Sequence, residues 1–247
     1  MRIKLKTGSA AVLLLITVFF DVSSSFALPD DDYNFSWLDP EKKIYVLQNR
    51  KFRKAGAPDL SLLGGVSLGD TYRTVYQLQP RLGYWFTEEF GIETFYSARF
   101  NSPNNAYKAL DQAIASGGVT KSPYIREVKS QLGVLFNWAP WYAKINVFNT
   151  ILYFDWIFSV GLGTLSTDIG PKVKDDPASA PSWKSENLFA VFIGTGHVFH
   201  LNEHWKIRLD ALGHFYSAPI YGGLPLAPTD KSVFSNFALN LGLGYKF

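Results

Sequence analysis

Cysteine is absent from the 247-residue sequence, and methionine occurs only at position 1. The lack of cysteine excludes disulfide frameworks, thiolate metal sites and a lipidated cysteine near the N-terminus. After residue 20, no apolar run reaches the roughly 20 residues that a membrane-spanning helix requires. Aromatic residues, in contrast, make up 16% of the chain. This composition favours a fold that uses aromatic side chains without spanning helices.

The N-terminal residues have the pattern of a secretory signal peptide. An apolar stretch over residues 10–20 and a small-x-small site at Ser25-Phe26-Ala27 follow three basic residues, Arg2, Lys4 and Lys6. Because Asp21 interrupts the apolar stretch, a spanning anchor is disfavoured. We therefore predict export, with cleavage between Ala27 and Leu28.

The charge balance of the remaining chain is nearly neutral. The predicted cleavage removes three basic residues and one acidic residue, which lowers the formal net charge from +3 to +1. A balance of this kind gives no support for a nucleic-acid partner. The remaining length of about 220 residues can form a single domain. An exported, aromatic-rich protein of this kind is either a soluble β-protein or a membrane β-barrel.

Eight segments alternate apolar residues with polar or small ones. Successive side chains of a strand point to opposite faces, so each segment predicts a strand with one apolar and one polar face. The segments are Asp59–Gly69, Tyr72–Phe86, Gly91–Asn101, Glu127–Trp138, Ile151–Leu165, Leu188–His200, Trp205–Tyr216 and Phe234–Phe247.

The charged residues of these strands all fall on the polar face. They are Arg73, Arg81, Glu93, Arg99, Glu127, Lys129, Asp155, Lys206, Arg208, Asp210 and Lys246. Aromatic residues cap the strand ends, at Tyr72, Phe86, Trp138, Trp205, Tyr245 and Phe247. A soluble sandwich gives the same alternation but not the aromatic girdles, which are typical of membrane barrels. The pattern predicts an all-β, eight-stranded antiparallel transmembrane barrel whose lumen contains a charge network.

The connections alternate in length, as they do in outer-membrane barrels. Strands two and three, and six and seven, are joined by three or four residues, whereas connections on the other side reach about 25 residues. Two connections break the rule. The first hairpin, Gly69-Asp70-Thr71, is short, and the connection from Ala139 to Thr150 is longer than expected for a turn.

The long connection after strand three predicts a short helix over residues 104–116. Ser102 is the expected N-cap, Pro103 the expected first helical residue, and Gly117-Gly118 the stop. The apolar side chains of Tyr107, Leu110 and Ile114 share one face. Such a helix would cover the barrel, contact a partner, or form an ordered surface loop.

Residues 28–58 form a separate segment between the signal peptide (residues 1–27) and the barrel (residues 59–247). Residues 44–54 mix apolar and basic side chains. An even number of strands brings both ends of the barrel to the side with the short turns. We therefore expect the segment and both mature termini to lie in the periplasm. A plug, an inter-subunit strand and a plain leader all fit this composition.

The last eight residues match the signal by which barrels engage their insertion machinery. The motif consists of Asn240, Gly242, Tyr245 and the terminal Phe247. An amphipathic strand with unpaired edges can add to another sheet. The alternative is an ordinary last strand that ends in phenylalanine by chance.

Two stretches resemble a known family. They are Tyr45–Arg50 followed by Phe52–Gly56, and Lys144-Ile145 through Tyr153-Phe154-Asp155 to Gly161-Leu162-Gly163. These stretches resemble the outer membrane beta-barrel domain family, the small OmpA/OmpX-like barrels of myxobacteria and predatory bacteria. The resemblance implies architecture and an outer-membrane location, and no catalytic residues.

The sequence does not predict catalysis, a cofactor or a metal site. A barrel hydrolase needs a nucleophile beside a histidine and a carboxylate, and His197, His200, His204 and His214 show no such pattern. Inward carboxylates such as Asp155 and Asp210 have many basic neighbours, so an ion-pair network is expected.

Three functions fit this architecture in the outer membrane of a Gram-negative bacterium. The first is a structural or interaction scaffold that displays extracellular loops, with homo-oligomerisation left open. The second is a small-solute pore, and the third is a lipid-modifying barrel enzyme. The expected partners are outer-membrane lipid and, during assembly, the insertion machinery.

Overall fold

Eight strands and one helix make up the described part of the chain. The computed structural model describes residues 50–117, 124–148, 150–171, 184–221 and 228–247, which lie in a unit of their own, Arg50–Phe247. The elements are β1 (Pro58–Ser67), β2 (Arg73–Trp85), β3 (Phe90–Pro103), α1 (Asn105–Ala115), β4 (Tyr124–Val147), β5 (Thr150–Pro171), β6 (Lys184–His200), β7 (Trp205–Tyr221) and β8 (Pro228–Lys246).

The strands close into a barrel. Each strand pairs with the next in antiparallel orientation, and β1 also pairs with β8, from Asp59 opposite Lys246 to Ser67 opposite Ala238. Closure leaves no free sheet edge around the ring. The predicted eight-stranded antiparallel barrel with one short helix is confirmed. We call the end with the short turns the turn end, and the end with α1 the loop end.

Burial alternates along the strands as the sequence pattern predicts. On β2, Val75, Gln77, Gln79, Arg81, Gly83 and Trp85 are buried, while the residues between them are exposed. Pro80, which lacks a backbone N–H, does not end this strand and lies opposite Leu62 of β1. The polar face therefore points into the lumen and the apolar face points outward.

The predicted connection from Ala139 to Thr150 is wrong, because most of it is strand. β4 continues to Val147 and pairs with β5 through Val147 opposite Thr150. The register shifts between Trp138 and Trp141, where Pro140 has no N–H to donate. Since β3 pairs with β4 only as far as Trp138, the β4–β5 hairpin extends past the neighbouring turn.

The helix forms where it was predicted, but its start differs. Pro103 is the last residue of β3, and Asn104 caps the helix by accepting a hydrogen bond from the Tyr107 N–H at 2.9 Å. An asparagine side chain accepts such a bond readily, and it replaces Ser102 in this role. At the other end Gly117 takes a φ of 73°, which stops the helix as expected.

Six strands, β3 to β8, are longer at the loop end than predicted. β5 continues to Pro171 and β6 begins at Lys184, with Ile169 opposite Lys184. The alternation there mixes polar residues on both faces, as in Ser166 and Thr167. Backbone pairing continues where the hydrophobic pattern has already ended.

Candidate functional site: the filled lumen and its strap

The outer surface of the barrel is apolar around the whole ring. Every strand contributes large exposed apolar side chains, including Leu62, Leu82, Tyr96, Leu132, Leu162, Ile193, Leu209 and Leu241. Aromatic rings concentrate towards the turn end, at Tyr84, Phe86, Phe90, Trp138, Trp156, Trp205, Tyr245 and Phe247. A closed barrel satisfies its own backbone, so such a surface fits hydrocarbon rather than water. The chain is a membrane-crossing β-barrel.

None of the described residues forms a helix long and apolar enough to cross a membrane.

Four charged side chains form a cluster across the middle of the lumen. Arg81 of β2 lies 2.9 Å from the Asp210 carboxylate and 3.4 Å from that of Glu93. Arg208 of β7 binds Glu93 and donates from Nε to Asp210 at 2.7 Å. All four side chains are at most 5% exposed. Two cations and two anions from three strands therefore neutralise each other inside the barrel, as buried charges require.

Further ion pairs lie above the central cluster, towards the loop end. Arg73 pairs with Glu127, which also accepts from Lys129 at 3.0 Å. Arg99 pairs with Asp70 at 3.0 Å. Arg126 pairs with Glu186 at 2.9 Å and donates to the Pro219 carbonyl. These pairs link β2, β4, β6 and β7 across the loop-end mouth.

Two further cations lie at the turn end. Lys206 binds Asp59 of β1. Lys246, the last residue of β8, donates to the Arg53 carbonyl at 2.6 Å. Charged contacts therefore occur at three levels of the lumen, and each level joins strands that are distant in sequence.

Ten of the eleven predicted network residues contact an oppositely charged side chain inside or at the rim of the lumen. Lys246 binds a backbone carbonyl instead. Lys129 differs from expectation in its exposure, since 45% of its side chain is exposed. The register shift between Val128 and Ser130 turns Val128 inward and leaves Lys129 at the rim.

Several charged residues of these networks were not predicted from the sequence. Asp70 lies in a turn outside any strand pattern, and Arg126 and Glu186 lie beyond the predicted strand ends. Lys54, Asp59 and His200 belong to the turn end. Of these, Asp59 and His200 fell inside predicted strands, and Asp59, on the polar face, could have been found from alternation.

Residues 50–57 form a strap across the turn-end mouth. The Glu88 carboxylate accepts from the backbone N–H groups of Lys54 and Ala55 at 3.1–3.3 Å. The Gly56 N–H donates to the Trp85 carbonyl at 2.7 Å. Together with the bond from Lys246 to Arg53, these contacts tie the strap to the β2–β3 turn and to β8.

Asp155 of β5 is the charged centre beneath the strap. Its carboxylate lies 3.0 Å from Lys54 Nζ, 2.8 Å from His200 Nε2 and 3.6 Å from Arg50. The Lys54 ammonium also lies 4.2 Å from the ring centre of Trp85, a cation–π contact. Burial lowers the pKa of Lys54, and the Asp155 charge opposes that shift.

Phe52 fixes the strap by packing. It is 8% exposed, and its ring centre lies 5.5 Å from those of Tyr153 and His200. These contacts hold residues 50–57 at the turn end, while the role of the whole segment as a plug, an inter-subunit strand or a plain leader stays a prediction. Residues 28–49, including positions 45–49 of the first resemblance stretch, lie outside the described residues.

An apolar cluster fills the other side of the lumen. Its members include Phe95, Leu135, Leu165, Phe192 and Leu212. The rings of Phe95 and Phe192 meet edge to face with centres 5.0 Å apart. The cluster draws on β3–β7, but β3 and β7 also carry Glu93, Arg208 and Asp210 of the central charge cluster, so the apolar and polar parts of the lumen meet at these two strands.

The four residues of the predicted insertion signal divide between the two faces. Asn240 is buried and accepts from Gln77 Nε2 at 2.5 Å. Gly242 lies opposite Leu63 of β1. Tyr245 and Phe247 lie outside, with ring centres 5.1 Å apart, and the Phe247 N–H donates to the Pro58 carbonyl at 3.1 Å. The predicted cleavage residues Ala27 and Leu28 lie outside the described residues.

The four histidines are dispersed. His200 pairs with Asp155, and His214 lies in the lumen beside Gln131. His204 Nδ1 donates to the Lys246 carbonyl, and His197 lies on the outer aromatic surface. Within the described ranges, no group of three histidine, aspartate or glutamate residues is placed to hold a metal ion.

No protein-family model and no curated protein matches the chain. The predicted membership in the barrel family of myxobacteria and predatory bacteria is therefore not confirmed and stays a prediction. Similar solved structures include the N-terminal beta-barrel domain of Pseudomonas aeruginosa OprF, at 12% identity, a TM-score of 0.46, and coverage of 78% of this chain and 98% of that chain.

Neisserial surface protein A, NspA, is 11% identical with a TM-score of 0.43, covering 77% of this chain and 96% of that chain. The outer membrane protein OprG from Pseudomonas aeruginosa is 16% identical with a TM-score of 0.42, covering 81% and 99%. At these identities and TM-scores, the likenesses carry no argument about what this chain does.

Proposed function

We propose that this chain is an integral outer-membrane β-barrel protein of a Gram-negative bacterium with a structural or interaction role. The observation that supports this role is the contrast between its two faces. The outside presents a continuous apolar surface to lipid, whereas the lumen is filled by ion pairs, an apolar cluster and a strap. What remains available to a partner is the loop end.

We further propose that the turn end faces the periplasm and the loop end faces the medium. The turns Phe86–Glu89 and Leu201–His204 are short, and the longer connections share the opposite end, which is the usual asymmetry of outer-membrane barrels. The strap, which continues from the exported N-terminal segment, crosses the turn end. Both mature termini are then periplasmic.

Helix α1 is the ordered part of the proposed display surface. Asn104 Nδ2 donates to the Thr71 carbonyl at 2.9 Å, and the Arg73 guanidinium lies 4.5 Å from the ring centre of Tyr107. These contacts hold the helix at the mouth, while Lys108 and Gln112 are exposed. A surface of this kind is suited to contact with other molecules.

The location is tested by fractionation and mass spectrometry. The protein should sediment with outer-membrane vesicles, and its N-terminal peptide should begin at Leu28. Recovery in the soluble fraction, or an intact Met1, would contradict the proposal.

The orientation is tested by trypsin treatment of intact cells. Lys108 on α1 should be cleaved, whereas Lys51 and Lys54 of the strap should be cut only after the outer membrane is permeabilised. Replacing Lys108 with Gln provides the control, since that cut should disappear. Cleavage of the strap in intact cells would reverse the proposed orientation.

A further inference from the structure

Several buried polar atoms on the polar side of the lumen have no hydrogen-bond partner among the described residues. Near the loop end these are Nε and Nη1 of Arg99, Oδ1 of Asn236 and Nε2 of His214. All three side chains are almost completely buried; the Arg99 side chain is 0% exposed. Their remaining hydrogen bonds go to Asp70 and Gln131.

The same situation continues through the middle of the barrel. Oε1 of Gln77, Nε2 of Gln79, Nδ2 of Asn240 and Oγ of Ser97 are buried without a protein partner in the described ranges. Gly65 of β1 lies between Gln77 and Asn240 and allows their side chains to meet above it, because a Cβ there would collide with the Asn240 amide.

This row of unpaired polar atoms, from Arg99 towards the turn end, also passes the central ion-pair cluster. Within the cluster, Oδ1 of Asp210 is unpaired, and Oδ1 of Asp59 is unpaired below it. Next to Asp59 and Lys54, beneath the strap, is a cavity of about 20 Å³. A space of this size accommodates a single water molecule.

So many unpaired polar atoms indicate that the lumen contains a bound molecule that forms hydrogen bonds with them. Leaving one buried polar group unsatisfied costs about 1–3 kcal/mol, and native proteins satisfy nearly all such groups with protein or ordered water. Donors and acceptors are mixed along this row, which favours a neutral molecule that both donates and accepts. The apolar cluster opposite confines that molecule to one side of the lumen.

The spacing of these groups is short enough for a continuous file. Asn236 lies directly opposite His214, and Asn240 opposite Asp210, positions whose Cα atoms are about 5 Å apart. Inward residues two apart on a strand are separated by about 6.7 Å. One water molecule bridges about 5.5 Å between two polar atoms. The side chains reach into the lumen, which brings neighbouring polar atoms closer together than the Cα atoms that carry them.

We infer that a single file of water molecules runs through the lumen along the inward polar side chains of β7, β8, β1, β2 and β3, from Arg99 to the cavity beneath the strap. The barrel therefore passes water, while the paired charges of Arg81, Glu93, Arg208 and Asp210 leave no passage for a hydrated ion. This activity is independent of the proposed display function.

The test measures osmotic water flow through proteoliposomes by stopped-flow light scattering. Vesicles with the wild-type barrel should shrink faster than protein-free vesicles, in proportion to the amount of folded barrel. Ala238→Leu places an apolar side chain between Asn236 and Asn240 and should abolish most of this excess rate. Ala98→Leu, the same change on the lipid-facing side of β3, should leave the excess rate unchanged.

A second variant guards against misfolding of the first. Gln77→Met keeps the length of the side chain but removes its polar atoms, and should also lower the excess rate several-fold. Heat-modifiable gel migration measures the folded fraction of each sample. A wild-type rate equal to that of protein-free vesicles overturns the inference, as does an excess rate that survives both lumen changes. Either result leaves the proposed membrane location untouched.

Discussion

Lys54 Nζ and the Asp155 carboxylate form an ion pair of 3.0 Å beneath the strap, with both side chains at most 6% exposed. Lys54 reaches this position from a segment that precedes the first strand, and Asp155 projects from β5. The pair therefore joins the N-terminal segment to the far side of the barrel. Because both charges are buried, removing one leaves the other without compensation.

Asp155→Asn should release the strap. The change removes the negative charge that Lys54, His200 and Arg50 share. Breaking a buried ion pair in this way should lower the free energy of unfolding by about 3 kcal/mol or more. Trypsin should then cut the strap of the purified barrel much faster than in the wild type. Glu89→Gln, an exposed change on the neighbouring turn, is the control. Equal cleavage rates in all three proteins would show that the ion pair does not hold the strap.

The central cluster should show strong coupling between its members. Arg208→Met leaves Glu93 and Asp210 short of a cation and should cost about 3–5 kcal/mol in the free energy of unfolding from lipid vesicles. Adding Glu93→Gln removes an anion as well, while Arg81 and Asp210 remain paired. The double variant should therefore be less destabilised than the sum of the single changes. Strict additivity would contradict the cluster as described.

The two faces of β8 provide a direct test of the membrane interpretation. Leu241 is 60% exposed on the outer face, whereas its neighbour Asn240 is buried in the lumen. Leu241→Arg should cost about 2–4 kcal/mol if the residue lies at the middle of the bilayer. Asn240→Ser shortens one hydrogen-bonding side chain and should cost about 1 kcal/mol. Similar small costs for both changes, measured by urea unfolding in vesicles, would argue against a lipid-facing Leu241.

The strands were predictable because one rule governs them over their whole length. Wherever one face meets lipid and the other a polar lumen, side chains alternate strictly, as they do from Thr74 to Trp85. The rule fails towards the strand ends. At Ser166–Pro171 and along Trp141–Val147, backbone pairing continues, but the sequence no longer alternates clearly.

The site was predictable only where its residues lie within alternating strands. Arg81, Glu93, Arg208 and Asp210 were found in this way, although parity does not reveal which cation meets which anion. Lys129 was misplaced in part because a one-residue register shift reverses the facing of side chains. The strap was not predictable, because its position depends on Glu88 and Asp155, which are distant in sequence and unrelated by any periodic pattern.

Assembly should depend on the last residue. Phe247 is 65% exposed and its ring meets Tyr245, and we predict that the insertion machinery binds it during folding. Deleting Phe247 or changing it to Asp should strongly reduce heat-modifiable barrel in cells. Phe148→Asp, at the most exposed phenylalanine of the β4–β5 hairpin, serves as the control and should assemble normally. Unchanged assembly of the Phe247 variants would make the C-terminal match incidental.

A single barrel should not conduct ions. Eight strands leave an interior that side chains just fill, whereas open porins use about 16 strands. Here Arg81, Glu93, Arg208 and Asp210 span the lumen, Phe95 and the other cluster residues occupy its opposite side, and the strap covers the turn end. Opening an ion path would require breaking several buried charge pairs at once, each at a cost of several kcal/mol. Purified monomer in a planar bilayer should therefore give no stable steps, while a 16-stranded porin in the same lipid gives large ones. Porin-sized steps that persist at high dilution would refute the filled lumen and favour a small-solute pore.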